Sequence, residues 1–341
     1  MIRTPTAAPL LFLAIALAAA VAGAGGARAG SWGFEFDNDR FVNTDRHFTH
    51  GTRVFWVGDA DETPEWSYRL ASYLPGLDGP GALQIGVTIG QNMFTPDDIT
   101  VTSVIENDRP YAGWLFGGVA LARVGDGTRQ AWELDLGVVG PMSLARQTQI
   151  VVHEALQTRQ PRGWANQLDN EPGVVLVYEQ MWQHAWPLAD AGPKLALTPH
   201  LAGSLGNVYT YAAAGGTVRF GDFPEDDFGP ARIRPGVPGS DAIGGAGSSG
   251  AGWDFDWYLF AGAEGRYVAR NIFLDGNTFS NSHSVDRIPL VLDMQLGVTV
   301  ALPAVRLTLM HVFRTREFER QPEADRFGAR DIRWYLWIPA I

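Results

Sequence analysis

The chain has no cysteine among its 341 residues, which excludes disulfide bonds, thiolate catalysis and cysteine-ligated zinc. Basic residues are also few: 26 lysines and arginines against 37 aspartates and glutamates give a formal net charge of −11. Arg3 and Arg28 lie in the first 29 residues, which carry no acid, so removing these two positive charges from −11 leaves −13 for the rest. So acidic a chain is a poor partner for nucleic acid, and we expect none.

Long apolar runs are absent everywhere except at the N-terminus. There, Arg3 precedes an apolar segment over 10–21, and Ala27-Arg28-Ala29 forms a small-x-small cleavage signal. We therefore predict a cleaved signal peptide over 1–29 and a single exported domain over 30–341. In that domain, short segments alternate apolar with polar or small residues, a pattern typical of barrels in an outer membrane.

The alternating segments separate an apolar face from a charged face. Trp132, Leu134 and Leu136 share one face, opposite Glu133 and Asp135, and the pattern recurs over 290–300 and 305–314. A soluble sandwich would bury the apolar face, whereas a membrane barrel turns it towards lipid. Segments of nine or more residues, with tryptophans near their ends, favour the barrel. These tryptophans are Trp182, Trp186, Trp253, Trp257, Trp334 and Trp337.

We predict an all-β fold, a transmembrane antiparallel β-barrel of about 12 strands with a short helix in an extracellular loop. An even strand number places both chain ends in the periplasm. The predicted strands are 31–37, 49–58, 82–91, 110–124, 128–139, 172–186, 192–204, 210–221, 255–268, 290–302, 304–316 and 330–339. The connections 38–48, 92–109, 140–171, 205–209, 269–288 and 317–329 then face outward. Two periplasmic connections are long: 59–81, where 66–70 has helical character, and the Gly/Pro-rich 222–252.

The connection 140–171 contains the clearest helical pattern. An apolar stripe over 143–157 predicts a helix, with Ser143 as its N-cap. His153 lies on this helix, and Gln149, four residues earlier, shares its side. A single histidine on an amphipathic helix is by default a surface or packing residue, so the pattern alone leaves its role open.

Other polar residues converge on the same outward rim. Asp37, Asn38 and Asp39 offer oxygen ligands suited to Ca²⁺, although Asn and Asp are also ordinary turn formers. Arg109 enters a strand mouth, where it can meet a phosphate or carboxylate of a substrate, or pair with Asp108.

Five blocks in order resemble the outer-membrane lipid A 3′-O-deacylases. They are Phe36-Asp37-Asn38-Asp39, Phe48-Thr49-His50-Gly51, Asp108-Arg109-Pro110-Tyr111-Ala112-Gly113-Trp114, Gly137-Val138-Val139-Gly140-Pro141 and Gly163-Trp164-Ala165-Asn166-Gln167-Leu168. The resemblance implies a twelve-stranded barrel that removes the 3′-linked acyloxyacyl group of lipid A by Ca²⁺-dependent ester hydrolysis. It also implies an active site between the barrel wall and a helix on the outer rim.

The resemblance also implies residue roles. His153 would be the general base that activates water, and Gln149 would orient it. Asn38 and Asp39 would anchor the site, Thr49 would support it, and Asp39 would bind Ca²⁺. Separately, a backbone N–H at the corner 140–141 could face the oxyanion.

The chain departs from this family pattern in two places. Thr158 and Arg159 stand where some members have a glutamate after the catalytic histidine, and Asp97 and Asp98 replace basic residues after a turn. The expected setting is the outer membrane of a Gram-negative bacterium, with a monomer whose active site faces lipopolysaccharide in the outer leaflet.

Two other functions stay open. An outer-membrane phospholipase would use a Ser-His-Asn set, and a non-catalytic pore or adhesive barrel would keep only the scaffold. Predicted lumen charges of both signs favour a plugged barrel over an open selective pore. They are Glu133, Asp135, Asp293, Arg306 and Arg333.

Overall fold

The computed structural model describes residues 30–38, 47–188, 192–230, 255–302, 305–322 and 324–336. The predicted signal peptide over 1–29 and most of the Gly/Pro-rich segment 222–252 lie outside these residues. Every strand listed below belongs to one antiparallel sheet.

Twelve predicted strands correspond to thirteen observed segments. β6 and β7 are separated only by Gln183 and both pair with β8, so they act as one strand and the count of twelve is confirmed. The segments are β1 (Gly30–Asn38), β2 (His47–Gly58), β3 (Ala82–Thr95), β4 (Ala112–Gly125), β5 (Thr128–Val139), β6 (Glu171–Trp182), β7 (His184–Pro187), β8 (Lys194–Gly206), β9 (Tyr209–Asp222), β10 (Asp256–Asn271), β11 (Leu290–Leu302), β12 (Val305–Arg314) and β13 (Asp325–Leu336).

The sheet closes on itself. Each strand pairs with its neighbour in sequence, β1 pairs with β13, and β6 pairs with β8. With β6 and β7 counted as one strand, every described strand has a partner on both sides, so the described sheet has no open edge and its backbone hydrogen bonds are satisfied within the ring. The predicted β-barrel is confirmed.

The two faces of the wall differ as predicted. On β5, Leu134 and Leu136 point outward and are 44% and 45% exposed, whereas Glu133 and Asp135 are buried. On β11, Leu292 and Met294 are exposed and Asp293 is buried between them. On these strands the outward positions are thus apolar and the inward positions carry charge. The interior also holds a large cluster of apolar and aromatic side chains, which includes Trp114, Phe116 and Tyr258.

Many interior charges of the described strands form pairs of opposite sign. Arg53 pairs with Glu35, and the side chains of Arg129 and Glu179 approach to 2.9 Å. A longer series of buried side chains, alternately basic and acidic, links six strands or connections. Its successive contacts are Arg109–Glu317 at 2.9 Å, Glu317–Arg314 at 3.9 Å, Arg314–Asp293 at 2.6 Å, Asp293–Arg266 at 2.9 Å, Arg266–Glu264 at 3.2 Å and Glu264–His200 at 2.9 Å. Mutual pairing of buried charges agrees with a plugged barrel.

The two ends of the barrel carry different connections. One end, the helix rim, carries the described connections 96–111, 140–170, 207–208 and 272–289 and residues 315–322. The other end, the turn rim, carries the described connections 59–81 and 126–127. The α-helices are α1 (Glu65–Ala71), α2 (Ala145–Ala155) and α3 (Ile272–Asp275). No helix in the described part of the chain is long and apolar enough to cross a membrane.

The connection 272–289 folds across the mouth at the helix rim. Phe273 of α3 stacks on Phe94 of β3 with ring centroids 4.0 Å apart. Nδ2 of Asn277 donates to the carbonyl of Asp169, and Nε2 of His283 lies 2.7 Å from the carbonyl of Asp108. These contacts tie together three connections that are distant in sequence, so the helix rim is a packed surface.

Candidate functional site

Helix α2 rests directly on the barrel wall. After β5, Gly140 adopts a positive φ of 94°, and its N–H donates to the carbonyl of Gly113 at 2.9 Å. A Cβ at Gly113 would lie 2.2 Å from the Cβ of Ala145, the first helical residue. Only glycine at 113 therefore allows this close approach of helix and strand.

The helix lies on the outside of the barrel. The outward-facing Leu136 of β5 pairs with Gly117 of β4, which pairs with Ile89 of β3. Because side chains alternate along a strand, Gln91 and Met93 share the outer face with Ile89. Gln91 donates through Nε2 to the carbonyl of Ser143 at 2.6 Å. The space between α2 and the wall is therefore on the apolar side of the barrel, not in its lumen.

The helix is present as predicted, but its polar side faces the wall. Ala145, Gln149 and His153, spaced four residues apart, are all buried. Val151 and Leu156 are 63% and 57% exposed. Of the predicted apolar stripe, Val151 and Ala155 are exposed and Leu144, Thr148 and Val152 are half-buried, so the stripe is not the face that packs on the wall. An apolar surface on the outside of a membrane barrel faces lipid. The N-cap is Leu144, with φ of 62°, and not Ser143.

His153 is held in a defined tautomer. Its Nδ1 lies 2.6 Å from the carbonyl oxygen of Arg159, and a carbonyl can only accept a hydrogen bond. Nδ1 therefore donates its proton, which leaves Nε2 of the neutral ring as the basic nitrogen. The backbone just past the helix end folds back, so that Arg159 reaches the imidazole of His153, because the Thr158 N–H donates to the carbonyl of His153 at 2.9 Å.

Gln149 is oriented by a tryptophan. Nε1 of Trp164 donates to Oε1 of Gln149 at 2.6 Å, so the amide presents Nε2 away from Trp164. Nε2 is buried and has no hydrogen-bond partner among the residues that the structure describes. The Trp164 ring packs 4.9 Å from Tyr111, whose hydroxyl donates to the carbonyl of Ile99. The helix thus presents an unpaired N–H donor one turn before the histidine.

Trp164 is a site residue to which sequence reasoning assigned no role. It lies in one of the five blocks of the resemblance, and its indole N–H is a donor that needs a partner when buried. That combination is the only signal that the sequence offers for it. The predicted role of Gln149 in orienting His153 stays a prediction.

Asn38 and Thr49 lie at the same rim as α2. Asn38 is the last residue of β1, paired with Gly328 of β13. Thr49 occupies an irregularity in the β2–β3 pairing, between Phe48 and His50, and His50 pairs with Met93. Met93 belongs to the apolar cluster that also contains Ala145 and Trp164. Backbone register thus brings the Thr49 region next to the strand that carries the helix, whereas Asp39 lies outside the described residues.

Arg109 has partners other than those predicted. It is fully buried, its Nη2 donates to Glu317 at 2.9 Å, and its guanidinium lies over the rings of Phe94 and Phe318. The backbone N–H of Arg109, not its side chain, donates to Asp108 at 2.7 Å. A guanidinium without exposed surface does not meet a substrate in this arrangement, so the geometry corrects the predicted substrate contact.

The corner at 140–141 does not supply an oxyanion donor. The Gly140 N–H is bound to Gly113, Pro141 has no N–H, and the Met142 N–H donates to Oδ1 of Asn170 at 2.7 Å. The tight turn that starts the helix uses these groups itself. By contrast, Nε2 of Gln149 is not bound by any described group.

A metal site is not formed by the described residues. Among them, no group of three or more His, Cys, Asp or Glu side chains could hold a metal ion. The acceptor oxygen of Gln149 is already bound to Trp164. The predicted Ca²⁺ ligand, Asp39, lies outside the described part of the chain, so the side chains seen around His153 do not fit a calcium site by themselves.

Comparisons with known proteins agree on one family. The family model described as outer membrane protein LpxR matches residues 10–336. The solved structure of LpxR from Salmonella typhimurium is similar over 90% of this chain and 100% of its own, with 20% identity and a TM-score of 0.71. The β domain of the Bordetella autotransporter BrkA covers 91% of this chain and 100% of its own at 10% identity, with a TM-score of 0.43. No curated protein matches. Because the family model spans nearly the whole sequence, the chain belongs to the family of outer membrane protein LpxR, the lipid A 3′-O-deacylases.

Proposed function

We propose that this outer-membrane lipid A deacylase hydrolyses the 3′-linked acyloxyacyl ester, with His153 as the general base that activates water. One observation carries the proposal: the hydrogen bond from Nδ1 to the Arg159 carbonyl leaves Nε2 as the proton acceptor. A base within the family's helix-bearing loop, buried against the wall and presented in the reactive tautomer, is what ester hydrolysis requires.

The reaction needs no protein nucleophile. Nε2 of His153 takes a proton from water as its oxygen attacks the ester carbonyl, forming a tetrahedral intermediate. The negative charge on the former carbonyl oxygen is stabilised by Nε2–H of Gln149, a buried donor that has no partner within the described part of the chain. When the intermediate collapses, the imidazolium returns the proton to the departing sugar oxygen, which leaves a fatty acid and a free hydroxyl.

The position of the helix favours a substrate that stays in the membrane. Because α2 packs on the outer face of β3 and β4, the site opens to the apolar side of the barrel, where acyl chains lie. The exposed Val151 and Leu156 give the helix an apolar surface towards those chains. The proposal therefore orients the helix rim towards the outer leaflet, where lipopolysaccharide is found.

Asn38, Asp39 and Thr49 complete the proposed site at the ends of β1 and β2. Asp39 would hold Ca²⁺, whose positive charge would offset charge on the ester carbonyl. The ion would add to the stabilisation of that charge, and the proton transfers above belong to His153. Arg109 is left out of the site because it is buried against Glu317.

The test is mass spectrometry of lipid A from Gram-negative cells that express the chain. We expect the wild type to remove one 3′-linked acyloxyacyl unit and His153→Ala to remove none. His184→Ala, at an exposed position of β7 near the turn rim, is the matched control and should act like the wild type. Identical lipid A in cells with the wild type and with His153→Ala would refute the proposal. Release of lysophospholipid would instead support the phospholipase.

A further inference from the structure

The connection 59–81 does not project from the turn rim but folds back over the outside of the wall. Ala71 and Leu77 of this connection are fully buried in a cluster with Leu83, Ile85 and Leu121. Those three strand residues face outward: Leu121 pairs with Trp132, which shares its face with Leu134, and Ile85 pairs with Leu121. The segment 65–81, here called the flap, thus covers wall positions that would otherwise be exposed.

Hydrogen bonds fix the flap to strands on both sides. Arg123 of β4 donates through Nε to the carbonyl of Leu77 at 2.7 Å and through Nη1 to that of Gly81 at 2.8 Å. Nε1 of Trp132 donates to the carbonyl of Pro75 at 3.0 Å. The flap is therefore an ordered part of the barrel exterior.

The exposed surface of the flap combines aromatic and apolar side chains with the charged side chains of Glu65 and Arg69. Trp66, Tyr68 and Leu70 of α1 are 49%, 45% and 45% exposed, and Tyr73 is 79% exposed. Arg69 is exposed beside them. Amphipathic aromatic rings with a neighbouring cation are typical of protein surfaces at the boundary between lipid headgroups and acyl chains.

The flap continues a belt that the wall carries elsewhere. Trp32, Trp186 and Phe220 are outward aromatic residues near the turn rim, and each is at least 40% exposed. In the sector of the flap the corresponding wall residue, Trp56, is only 8% exposed. The flap therefore displaces the aromatic belt outward from the wall instead of interrupting it.

We propose that the flap is a lipid-docking surface. Trp66, Tyr68, Leu70 and Tyr73 would enter the headgroup–acyl boundary of a glycerophospholipid leaflet, with Arg69 near the lipid phosphate. Continuity with the exposed aromatic belt selects lipid over a second copy of the chain as the occupant. The contact itself does not depend on catalysis. That this leaflet is the periplasmic one rests on the orientation of the barrel given in the proposed function.

The absence of cysteine makes a site-specific test direct. Tyr73→Cys, labelled with an environment-sensitive NBD dye, is reconstituted in phosphatidylcholine vesicles with and without lipids that carry a doxyl quencher near the headgroup end of the acyl chain. Leu292→Cys, on the exposed outer wall, is the positive control, and Asp98→Cys, in a connection of the helix rim, is the negative control. We expect about twofold quenching at positions 73 and 292 and none at 98.

Two outcomes would overturn the proposal. The dye at position 73 could remain unquenched like the dye at position 98, which would show that the flap lies in water. Alternatively, the labelled Tyr73→Cys protein could escape quenching while the unlabelled Tyr73→Cys protein forms a disulfide-linked dimer on oxidation, which would assign the surface to a second copy. Trp66→Cys, labelled in the same way, reports from the same surface if the Tyr73 variant fails to insert. Lipid A hydrolysis by the labelled proteins is measured separately, so loss of activity without loss of quenching would count against the proposed function alone.

Discussion

Replacing Glu317 by Gln should destabilise the barrel far more than its position in a surface connection suggests. Glu317 is buried and accepts from Nη2 of Arg109 at 2.9 Å, with Arg314 at 3.9 Å. The substitution keeps the shape of the side chain but removes the charge that balances Arg109. Breaking a buried pair from one side costs about 3–5 kcal/mol, because the remaining charge stays desolvated.

The pH dependence of folding stability gives a second estimate of what the charge of Glu317 contributes. Burial alone would raise the pKa of Glu317, but the guanidinium groups of Arg109 and Arg314 outweigh it and lower the pKa from 4.5 to about 2. At about 1.4 kcal/mol per pH unit, this difference corresponds to about 3 kcal/mol of folding stability. A lowered folded-state pKa gives stability that is complete above pH 4.5 and is lost as the pH falls towards about 2.

The measurement is the free energy of unfolding in guanidinium chloride, followed by tryptophan fluorescence in detergent micelles from pH 7 down to about 3. Glu319→Gln, the same change at an exposed position two residues away, is the control and should alter stability by less than about 0.5 kcal/mol. The gap between the wild type and Glu317→Gln should narrow as the pH falls below 4.5. The reasoning would be refuted if the wild type and Glu317→Gln were equally stable at pH 7. It would also be refuted if the difference between their free energies of unfolding did not change with pH.

Three further predictions concern the site. Trp164→Phe removes the hydrogen bond that orients Gln149, so kcat should fall about two- to tenfold with little change in KM. The control is Trp132→Phe, which loses a comparable hydrogen bond at the turn rim and should keep its kcat. Gly113→Ala should push α2 off the wall and lower activity about 10- to 100-fold, and Gly265→Ala, where an added Cβ meets nothing within 4 Å, should not. Chelation of Ca²⁺ should stop turnover of purified enzyme, and readdition of Ca²⁺ but not Mg²⁺ should restore it; full activity under chelation would remove Asp39 from its role.

The strands were predictable because each side chain of the wall faces either the outside of the barrel or its interior. Apolar residues at every second position mark the outer face, and β5 and β11 are found at the predicted bounds, Thr128–Val139 and Leu290–Leu302. Boundaries at the rims were less accurate: β3 extends to Thr95, because its last residues pair with β2 and support the helix. Strand parity alone placed Asn38, Asp39, Thr49 and His153 on one rim; Asn38, Thr49 and the helix of His153 lie at that rim, and Asp39 is outside the described residues.

What the sequence did not reveal depends on contacts between distant segments. Arg109 and Glu317 are 208 positions apart, and nothing local distinguishes a buried arginine from one that binds substrate. The flap was recognisable as a long connection with a short helix, but outward apolar residues such as Ile85 look the same whether lipid or protein covers them. For the same reason the apolar stripe of α2 did not show which way the helix faces.

The location of α2 on the outside of the wall changes how concentration should be counted for this enzyme. A substrate that approaches along the bilayer meets the site by diffusion in two dimensions, so its availability is set by its mole fraction in the leaflet and not by its molarity in solution. Kinetic constants measured in detergent will then scale with surface dilution: adding empty micelles at fixed total lipid A should lower the rate as though substrate had been removed.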